Sequence, residues 1–286
     1  MDKQYTAEQI VQKFSDVKTL PHVALRITQL VNSENATMQD FEEIIKLDPI
    51  LVSRLLKLVN SPYFGLVNKV DSISKAVVYS GMKNLRNLVA VEALREFFLS
   101  DDSADEIFSR RKLWIHSATV AILAEMIAKR IFGLPGEDFF LAGIIHDLGF
   151  VAEDQVAPAQ TRKACAQYAV SRRPLSDCEE EFIGTNHSKV GALLSSDWKL
   201  PDGVLKAIKY HHDNQRKNPV DSPTAILQIA EYFAGKMQYG VVSGRLDPLP
   251  SHLTRHVKNM VPNYKIIVRD APGEMAKARE LYTPEK

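Results

Sequence analysis

Histidines, one of them followed directly by an aspartate, are the residues of this chain best suited to metal chemistry. Five of the eight histidines fall between positions 116 and 212. They are His116, His146 (followed by Asp147), His187, His211 and His212. Imidazole and carboxylate are ligand types that hold divalent first-row metals. A metal centre of that kind activates water against a phosphate ester.

Spacing alone leaves two interpretations of these histidines open. Taken singly, His116 fits the apolar face of a helix, His187 fits a helix start, and the His211–His212 doublet fits a solvated helix end. Adjacent side chains on a regular helix diverge by roughly 100°, so a His-Asp pair faces one ion only where a helix ends. The His146–Asp147 pair, His187 and the His211–His212 doublet do lie at predicted helix ends, where a shared cleft can form. The choice is between a shared metal site and ordinary core and surface histidines.

The hydrophobic pattern is helical along most of the chain and predicts an all-α fold. The predicted helices cover residues 39–47, 51–60, 72–79, 82–99, 110–132, 137–146, 158–171, 187–196, 201–212 and 222–238, with a short helix near 274–282. One stretch, 264–270 (YKIIVRD), is strand-like. The polar segment 100–106 is a candidate linker between subdomains.

Local signals at the chain's turns support these boundaries. Thr37 and Asp40 are spaced as a capping box, and Asp48 precedes Pro49 in the order expected of an N-cap and a first helical residue. Gly81 and Gly133 are placed to end helices. Residues 63–71 are predicted to form a loop.

Composition excludes several function classes. The 286 residues are 45% hydrophobic and 25% charged, with a net charge of +1, which indicates an ordinary globular protein. This near-neutral net charge gives no indication of nucleic-acid binding. Cys165 and Cys178 are too few for a disulfide framework. The sequence shows no apolar run of transmembrane length and no secretory h-region, so no membrane association and a cytoplasmic location are expected.

Several longer stretches carry a family resemblance. They read LPHVALRITQLV, IIKLDPILVSRLLKLVNSPYFGL, ISKAVVYSGMKNLRNLV, LAGIIHDLG and NHSKVGALLSSDWKLPDGVLKAIKYHHD. Over about residues 15–240 the chain resembles the HDOD family, the HD-related output domains of bacterial signalling proteins. The resemblance implies a helical N-terminal part (1–105) packed on a divergent HD-type phosphohydrolase core (106–240), followed by a tail (241–286).

The histidine pattern is also similar to that of the metal-binding HD-GYP phosphodiesterases. That similarity implies a ligand set for one or two Fe, Mn or Zn ions, comprising His116, His146, Asp147, His187, His211, His212 and Glu231. Glu231 lies in ILQIAEYFAGKM, where that family has an aspartate. The GYP motif is absent, because the chain reads DNQRKNPVDSP after His212. The substrate-side loop of that family is therefore missing.

Two functions follow from the resemblance. The first is a signal-transduction output module that acts through a partner protein or a nucleotide-type small molecule. Tyr63 and Phe64 are its candidate partner contacts, although either aromatic ring also fits the core. The second is a metal-dependent phosphohydrolase acting on a nucleotide or cyclic dinucleotide. Lys189 and Lys209 are then candidate phosphate contacts, and both also fit a solvated helix face. No catalytic residue is assigned.

Overall fold

The chain forms helices and no strand within the residues that the computed structural model describes, which are 4–17, 37–46, 48–99, 107–198, 200–242 and 244–278. The all-α prediction is confirmed. The helices are α1 Ala7–Val17, α2 Met38–Lys46, α3 Pro49–Val59, α4 Ile73–Ser80, α5 Met82–Leu99, α6 Arg110–Ile131, α7 Glu137–Ile145, α8 Leu148–Val156, α9 Pro158–Val170, α10 Leu175–Phe182, α11 His187–Leu194, α12 Asp202–Tyr210, α13 Pro223–Lys236, α14 Ser251–Asn259 and α15 Val261–Lys277, with a 3₁₀ turn at Ser196–Trp198.

The predicted capping residues cap helices α2 and α3 of the N-terminal part. The Thr37 amide donates to Asp40 Oδ2 at 2.8 Å and the Asp40 amide donates to Thr37 Oγ1 at 3.3 Å, which closes the capping box of α2. Asp48 Oδ1 accepts the Leu51 amide at 3.0 Å and caps α3. The candidate linker at 100–106 and the LPHVALRITQLV stretch lie outside the described residues.

Helix α6 is the centre of the packing. Helices α5, α7, α13 and α15 all lie against it, and it is buried on nearly every side from Leu113 to Ala128. Helix α1 packs on α8 and α11, so the first described helix contacts the histidine-rich part of the chain. The buried apolar side chains form one continuous cluster through all these helices.

The N-terminal helices meet the rest of the chain at a buried polar joint. Arg86 on α5 is 1% exposed and its Nη2 lies 2.7 Å from Asp138 Oδ1 on α7. The neighbouring Asn87 donates from Nδ2 to the Glu137 carbonyl at 2.7 Å. The boundaries at residues 105 and 240 stay a prediction.

Two elements of the sequence-based prediction differ from the structure. Residues 264–270 lie inside helix α15 and not in a strand, because Tyr264, Ile267 and Ala271 bury one helical face three and four residues apart. That helix ends at Lys277, whereas a short helix was expected near 274–282. Helices α1, α8, α10 and α14 were not predicted. For α8 the reason is that Leu148-Gly149 resembles a turn. No described helix is long and apolar enough to cross a bilayer.

Candidate metal centre

A break between two helices positions the His-Asp pair. Helix α7 ends at Ile145 and α8 begins at Leu148, so His146 and Asp147 lie at the junction, with Asp147 at φ −97° and ψ 12°. Because these two residues are outside a regular helix, their side chains can face the same side, and His146 Nε2 lies 3.1 Å from Asp147 Oδ2. A Cβ on Gly149 would lie 2.0 Å from the His187 carbonyl oxygen, so glycine is what lets α8 approach α11 this closely.

Four imidazoles direct Nε2 toward the carboxylate of Asp147. His116 Nε2 lies 3.5 Å from Oδ2, and His187 and His211 Nε2 lie 3.5 and 3.7 Å from Oδ1. His146 completes the set on the Oδ2 side. Helices α6, α11 and the end of α12 thus deliver one histidine each to the carboxylate at the α7–α8 junction.

The opposite ring nitrogen of each histidine is held by a hydrogen-bond acceptor. Nδ1 of His116 donates to the Tyr239 carbonyl at 2.7 Å, that of His146 to the Gly143 carbonyl at 2.8 Å and that of His211 to the Ile208 carbonyl at 2.8 Å. The fourth, His187, has Glu179 at 2.8 Å. Carbonyl and carboxylate oxygens only accept, so Nδ1 carries the proton and Nε2 presents a lone pair in each neutral ring.

These lone pairs face other acceptors, an arrangement that calls for a cation between them. His187 Nε2 and His211 Nε2 are 3.2 Å apart. His146 Nε2 is fully buried and lies within 3.1 Å of carboxylate oxygens of both Asp147 and Glu231, yet neither contact has hydrogen-bond geometry. Metal-binding histidines show this combination of a fixed Nδ1–H and a free Nε2. The residues therefore fit a divalent first-row ion.

Glu231 and His212 complete the cluster. Glu231 Oε1 on α13 lies 3.0 Å from His146 Nε2 and 3.9 Å from His211 Nε2. The His212 ring is 4.2 Å from the His211 ring and 4.9 Å from the His187 ring, centroid to centroid. Three groups of possible ligands in the described residues have all their ligand atoms within 4.8 Å of one another: Asp147, His187, His211 and His212; His146, Asp147, His211 and Glu231; and Glu153, Glu179 and His187. All seven sequence-predicted side chains thus meet at one place.

The protein alone imposes strong charge coupling on the cluster. Burial works to raise the pKa of Asp147, but His146, His211 and His187 outweigh it and hold this pKa well below its usual range. Burial works to lower the pKa of His146, but Asp147 and Glu231 raise it to about 10. Burial and the adjacent His211 lower the pKa of His212. The site is thus built to place positive charge beside Asp147 and Glu231.

Two buried glutamates behind His187 were not predicted from the sequence. Glu179 on α10 accepts from both the ring and the backbone amide of His187, at 2.8 and 3.2 Å. Glu153 on α8 is fully buried and has no hydrogen-bond partner, and burial together with Glu179 and Asp147 raises its pKa well above the usual range. Nothing in the local sequence distinguishes Glu179 from its acidic neighbours Glu180 and Glu181.

An open cleft of about 90 Å³ leads to the cluster, and Asp147, His211, His212 and Glu231 form part of its wall. One side is formed by the covering segment, which we define as the described residues between α13 and α14 (237–242 and 244–250). Arg245 of this segment lines the cleft. Lys189 instead pairs with Glu180 at 2.7 Å, and Lys209 is exposed beside the Tyr210 ring; neither lies in the cleft wall.

The aromatic pair of the 63–71 loop lies away from this cleft. Tyr63 and Phe64 are half-buried and contact each other edge to face at 5.3 Å. The Tyr63 hydroxyl donates to Glu125 on α6, which holds the loop against the central helix. Both rings line a second cavity between the loop, α6 and α15.

Comparison with protein families identifies the chain. The HDOD domain profile matches residues 17–214, which include every candidate ligand except Glu231. The chain belongs to the HDOD family. An HDOD domain protein of Geobacter sulfurreducens has a solved structure that is 24% identical, with a TM-score of 0.69, over 95% of this chain and 92% of that one. This likeness concerns the fold.

Other relatives of this HDOD chain differ in length and description. A proposed phosphohydrolase from Shewanella amazonensis is 24% identical with a TM-score of 0.71, over 95% of this chain and 97% of that one. A proposed signal transduction protein from Marinobacter aquaeolei is 21% identical with a TM-score of 0.72, over 96% of this chain and 65% of that one. A Treponema pallidum protein is 29% identical over 213 residues, and the HDOD chain spans 40% of its length.

Proposed function

We propose that this HDOD chain is a metal-dependent phosphohydrolase whose centre holds one or two Fe, Mn or Zn ions. The seven ligands would be His116, His146, Asp147, His187, His211, His212 and Glu231. The observation that carries the proposal is the fully buried His146 Nε2, which lies within 3.1 Å of two carboxylates without a hydrogen bond. A buried polar atom left in this way is costly unless a cation satisfies it.

The chemistry follows from the arrangement of the chain's own groups. A divalent ion held there would lower the pKa of a water molecule and polarise a phosphoryl oxygen. Asp147 presents one oxygen to His116 and His146 and the other to His187 and His211, so each of its oxygens would supply a ligand beside a different pair of histidines. The hydrogen bonds on Nδ1 select the tautomer whose Nε2 can ligate, and a bound ion would displace the proton that the raised pKa of His146 otherwise retains there.

The substrate class proposed is a phosphate ester of nucleotide size. The open cleft, which encloses about 90 Å³, can admit the phosphoryl end of such an ester. It opens directly on Asp147 and Glu231, so an ester bound in it would reach the cluster. The Shewanella relative, itself a proposed phosphohydrolase, is consistent with this substrate class.

Metal content and turnover of a generic phosphodiester test this proposal together. Protein purified without chelator and supplied with Mn, Fe or Zn is expected to hold at least one ion per chain and to hydrolyse bis(p-nitrophenyl) phosphate. Asp147→Asn is expected to lose bound metal and to lower turnover about a hundredfold or more. Asp71→Asn removes an exposed carboxylate that pairs only with Lys75, so both properties should match the wild type.

A signalling module is the second candidate, and the 63–71 loop favours it. Phe64 is only half-buried there, and Val67 is 98% exposed, which gives an aromatic and apolar surface of the type enriched in protein interfaces. The Marinobacter relative is a proposed signal transduction protein. A wild type that binds metal but shows no more turnover than Asp147→Asn would favour this candidate. A chain that takes up none of the three metals would overturn the metal centre.

A further inference from the structure

Arg245 brings an unpaired positive charge to the wall of the metal cleft. Its guanidinium carbon lies 4.7 Å from the centre of the Tyr168 ring, which fixes the side chain across the cleft. Its Nε is buried and has no hydrogen-bond partner, and no described carboxylate forms an ion pair with it. Asp247 lines the same cleft and interacts with this charge, and burial raises the pKa of its carboxyl group.

An arginine in this state is suited to an anionic ligand. A guanidinium with a buried, unpartnered Nε is stabilised when a phosphate or carboxylate accepts from it, and its planar fork matches phosphate oxygens two at a time. Asp147, His211, His212 and Glu231 line the same cleft. A phosphoryl group on Arg245 would therefore face the metal ligands.

Gln228 supplies a second buried polar atom without a hydrogen-bond partner, which indicates a ligand site. This residue on α13 is 4% exposed and lines the cleft. Its Nε2 donates weakly to the Asp213 carbonyl at 3.5 Å, while its Oε1 is buried without a partner. A buried amide oxygen of this kind accepts from a hydroxyl or amine.

The rest of the described cleft wall limits the number of phosphoryl groups. Arg245 is the one lysine or arginine among the lining residues, and much of the wall is aromatic or aliphatic, including Phe150, Leu175, Tyr232 and Val241. A ligand with a second, separated phosphate would place that charge against apolar side chains, which is unfavourable.

We propose that the cleft binds a ligand with a single phosphoryl group, held by Arg245, and a partly apolar body that donates a hydrogen bond to Gln228 Oε1. This inference rests on the proposed phosphohydrolase function and narrows its substrate to compounds with one phosphoryl group. It assigns Arg245 and Gln228 as ligand-binding residues.

Binding of inorganic phosphate to the full chain tests the role of Arg245, with metal content measured on the same samples. By titration calorimetry, Arg245→Met is expected to weaken phosphate binding about tenfold or more, and Arg245→Lys by less, because lysine keeps the charge without the planar fork. The matched control is Arg269→Met, which removes a 72% exposed guanidinium on α15 and should leave phosphate affinity unchanged. Metal content should equal that of the wild type in all three variants.

The outcomes separate this inference from the proposed function. Equal phosphate affinity in Arg245→Met and the wild type, at equal metal content, overturns the Arg245 site and leaves the metal centre standing. A wild type that binds no phosphate overturns it as well. A wild type without metal whose phosphate binding still depends on Arg245 supports the anion site and overturns the metal centre instead.

A competition experiment tests the single phosphoryl group. p-Nitrophenyl phosphate is expected to displace inorganic phosphate at lower concentration than cyclic di-GMP, which carries two separated phosphates. Gln228→Leu should leave the affinity for inorganic phosphate unchanged. It should weaken the binding of adenosine monophosphate, which has hydroxyl and amine donors, more than the binding of p-nitrophenyl phosphate, which has no donor beyond its phosphoryl group. Tighter competition by cyclic di-GMP, or an equal effect of Gln228→Leu on both monoesters, contradicts the proposal.

Discussion

At the scale of single residues, the candidate metal centre depends on the acceptor that binds Nδ1 of each histidine. Three rings use a backbone carbonyl, whereas His187 uses the carboxylate of Glu179. A carboxylate partner makes the imidazole a stronger ligand than a carbonyl does, because the negative charge increases the ring's basicity. Glu179 is therefore the acceptor of the four whose charge bears directly on a metal ligand.

Removing that charge should weaken metal binding without disturbing the fold. Glu179→Gln is expected to lower the affinity for Zn or Mn about 10- to 100-fold, the usual effect of losing such a partner. A competition titration against a chromophoric chelator measures it. Glu181→Gln, two residues away and paired with Arg173 at the surface, is the matched control and should bind metal as the wild type does. Equal affinities in the two variants would show that Glu179 does not tune His187.

Residue types predicted the histidine cluster better than they predicted its surroundings. The five histidines and Asp147 were candidates by residue type and spacing, which left a shared site open, and the similarity to the HD-GYP phosphodiesterases added Glu231 and implied the full set. Glu179, Gln228 and Arg245 could not be found in this way, because a glutamate, a glutamine or an arginine is ordinary in any helix or loop until the fold shows that it is buried and what it faces. Lys189 and Lys209 illustrate the reverse case, since their nearness in sequence to His187 and His211 did not bring them into the cleft wall.

At the scale of elements, the close contact of α8 with α11 determines whether His187 reaches the centre. Both helices are short, and their contact depends on Gly149 facing the first turn of α11. A side chain at position 149 would separate the His-Asp junction from the histidine that begins the neighbouring helix.

Gly149→Ala should therefore reduce both stability and metal binding. The added Cβ would lie 2.0 Å from the His187 carbonyl and 2.6 Å from the Gly191 amide nitrogen, and such overpacking costs about 1–3 kcal/mol of unfolding free energy. Urea unfolding gives the first effect and the metal content the second. Gly273→Ala in α15 meets no atom within 4 Å and should be neutral or slightly stabilising. An unchanged urea midpoint for Gly149→Ala would contradict the close-contact argument.

Local sequence signals predicted some helices and missed others: α1 was missed although Ala7, Ile10 and Phe14 bury one helical face. The stripes of α3, α6 and α13 and the caps at Thr37 and Asp48 each have a local cause, so the sequence alone was enough to find them. Helix α10 is acidic along most of its length, and only its packing on α9 and α11 explains why it forms. Helix α15 contains the strand-like YKIIVRD, where tertiary packing outweighs the preference of β-branched residues for strands.

At the scale of the whole molecule, one core joins the N-terminal helices to the metal centre. The joint between α5 and α7 is polar, and it contains the 1% exposed Arg86. Asp138 and Asn87 accept from Nη2 of this buried arginine, whereas its Nη1 has no partner among the described residues, so the contact between the two parts depends on the Asp138 carboxylate.

Asp138→Ala should destabilise the entire chain, because it leaves Arg86 buried without its counterion. We expect a loss of about 3 kcal/mol or more in unfolding free energy, measured by urea denaturation. Lys83→Met removes only the exposed partner of the same carboxylate, at 3.5 Å, and should cost about 1 kcal/mol at most. Similar losses in both variants would show that the joint does not depend on the buried pair.

The hydrogen bond from His116 to the Tyr239 carbonyl connects the occupant of the centre to the segment that covers it. The same bond orients a proposed metal ligand and anchors the covering segment, so binding of an ion to His116 and binding of a ligand to the segment would each change the free energy of the other. A ligand that holds Arg245 and its segment in the present position favours the ligating orientation of His116. By thermodynamic reciprocity, an ion bound to His116 favours that position of the segment by an equal amount.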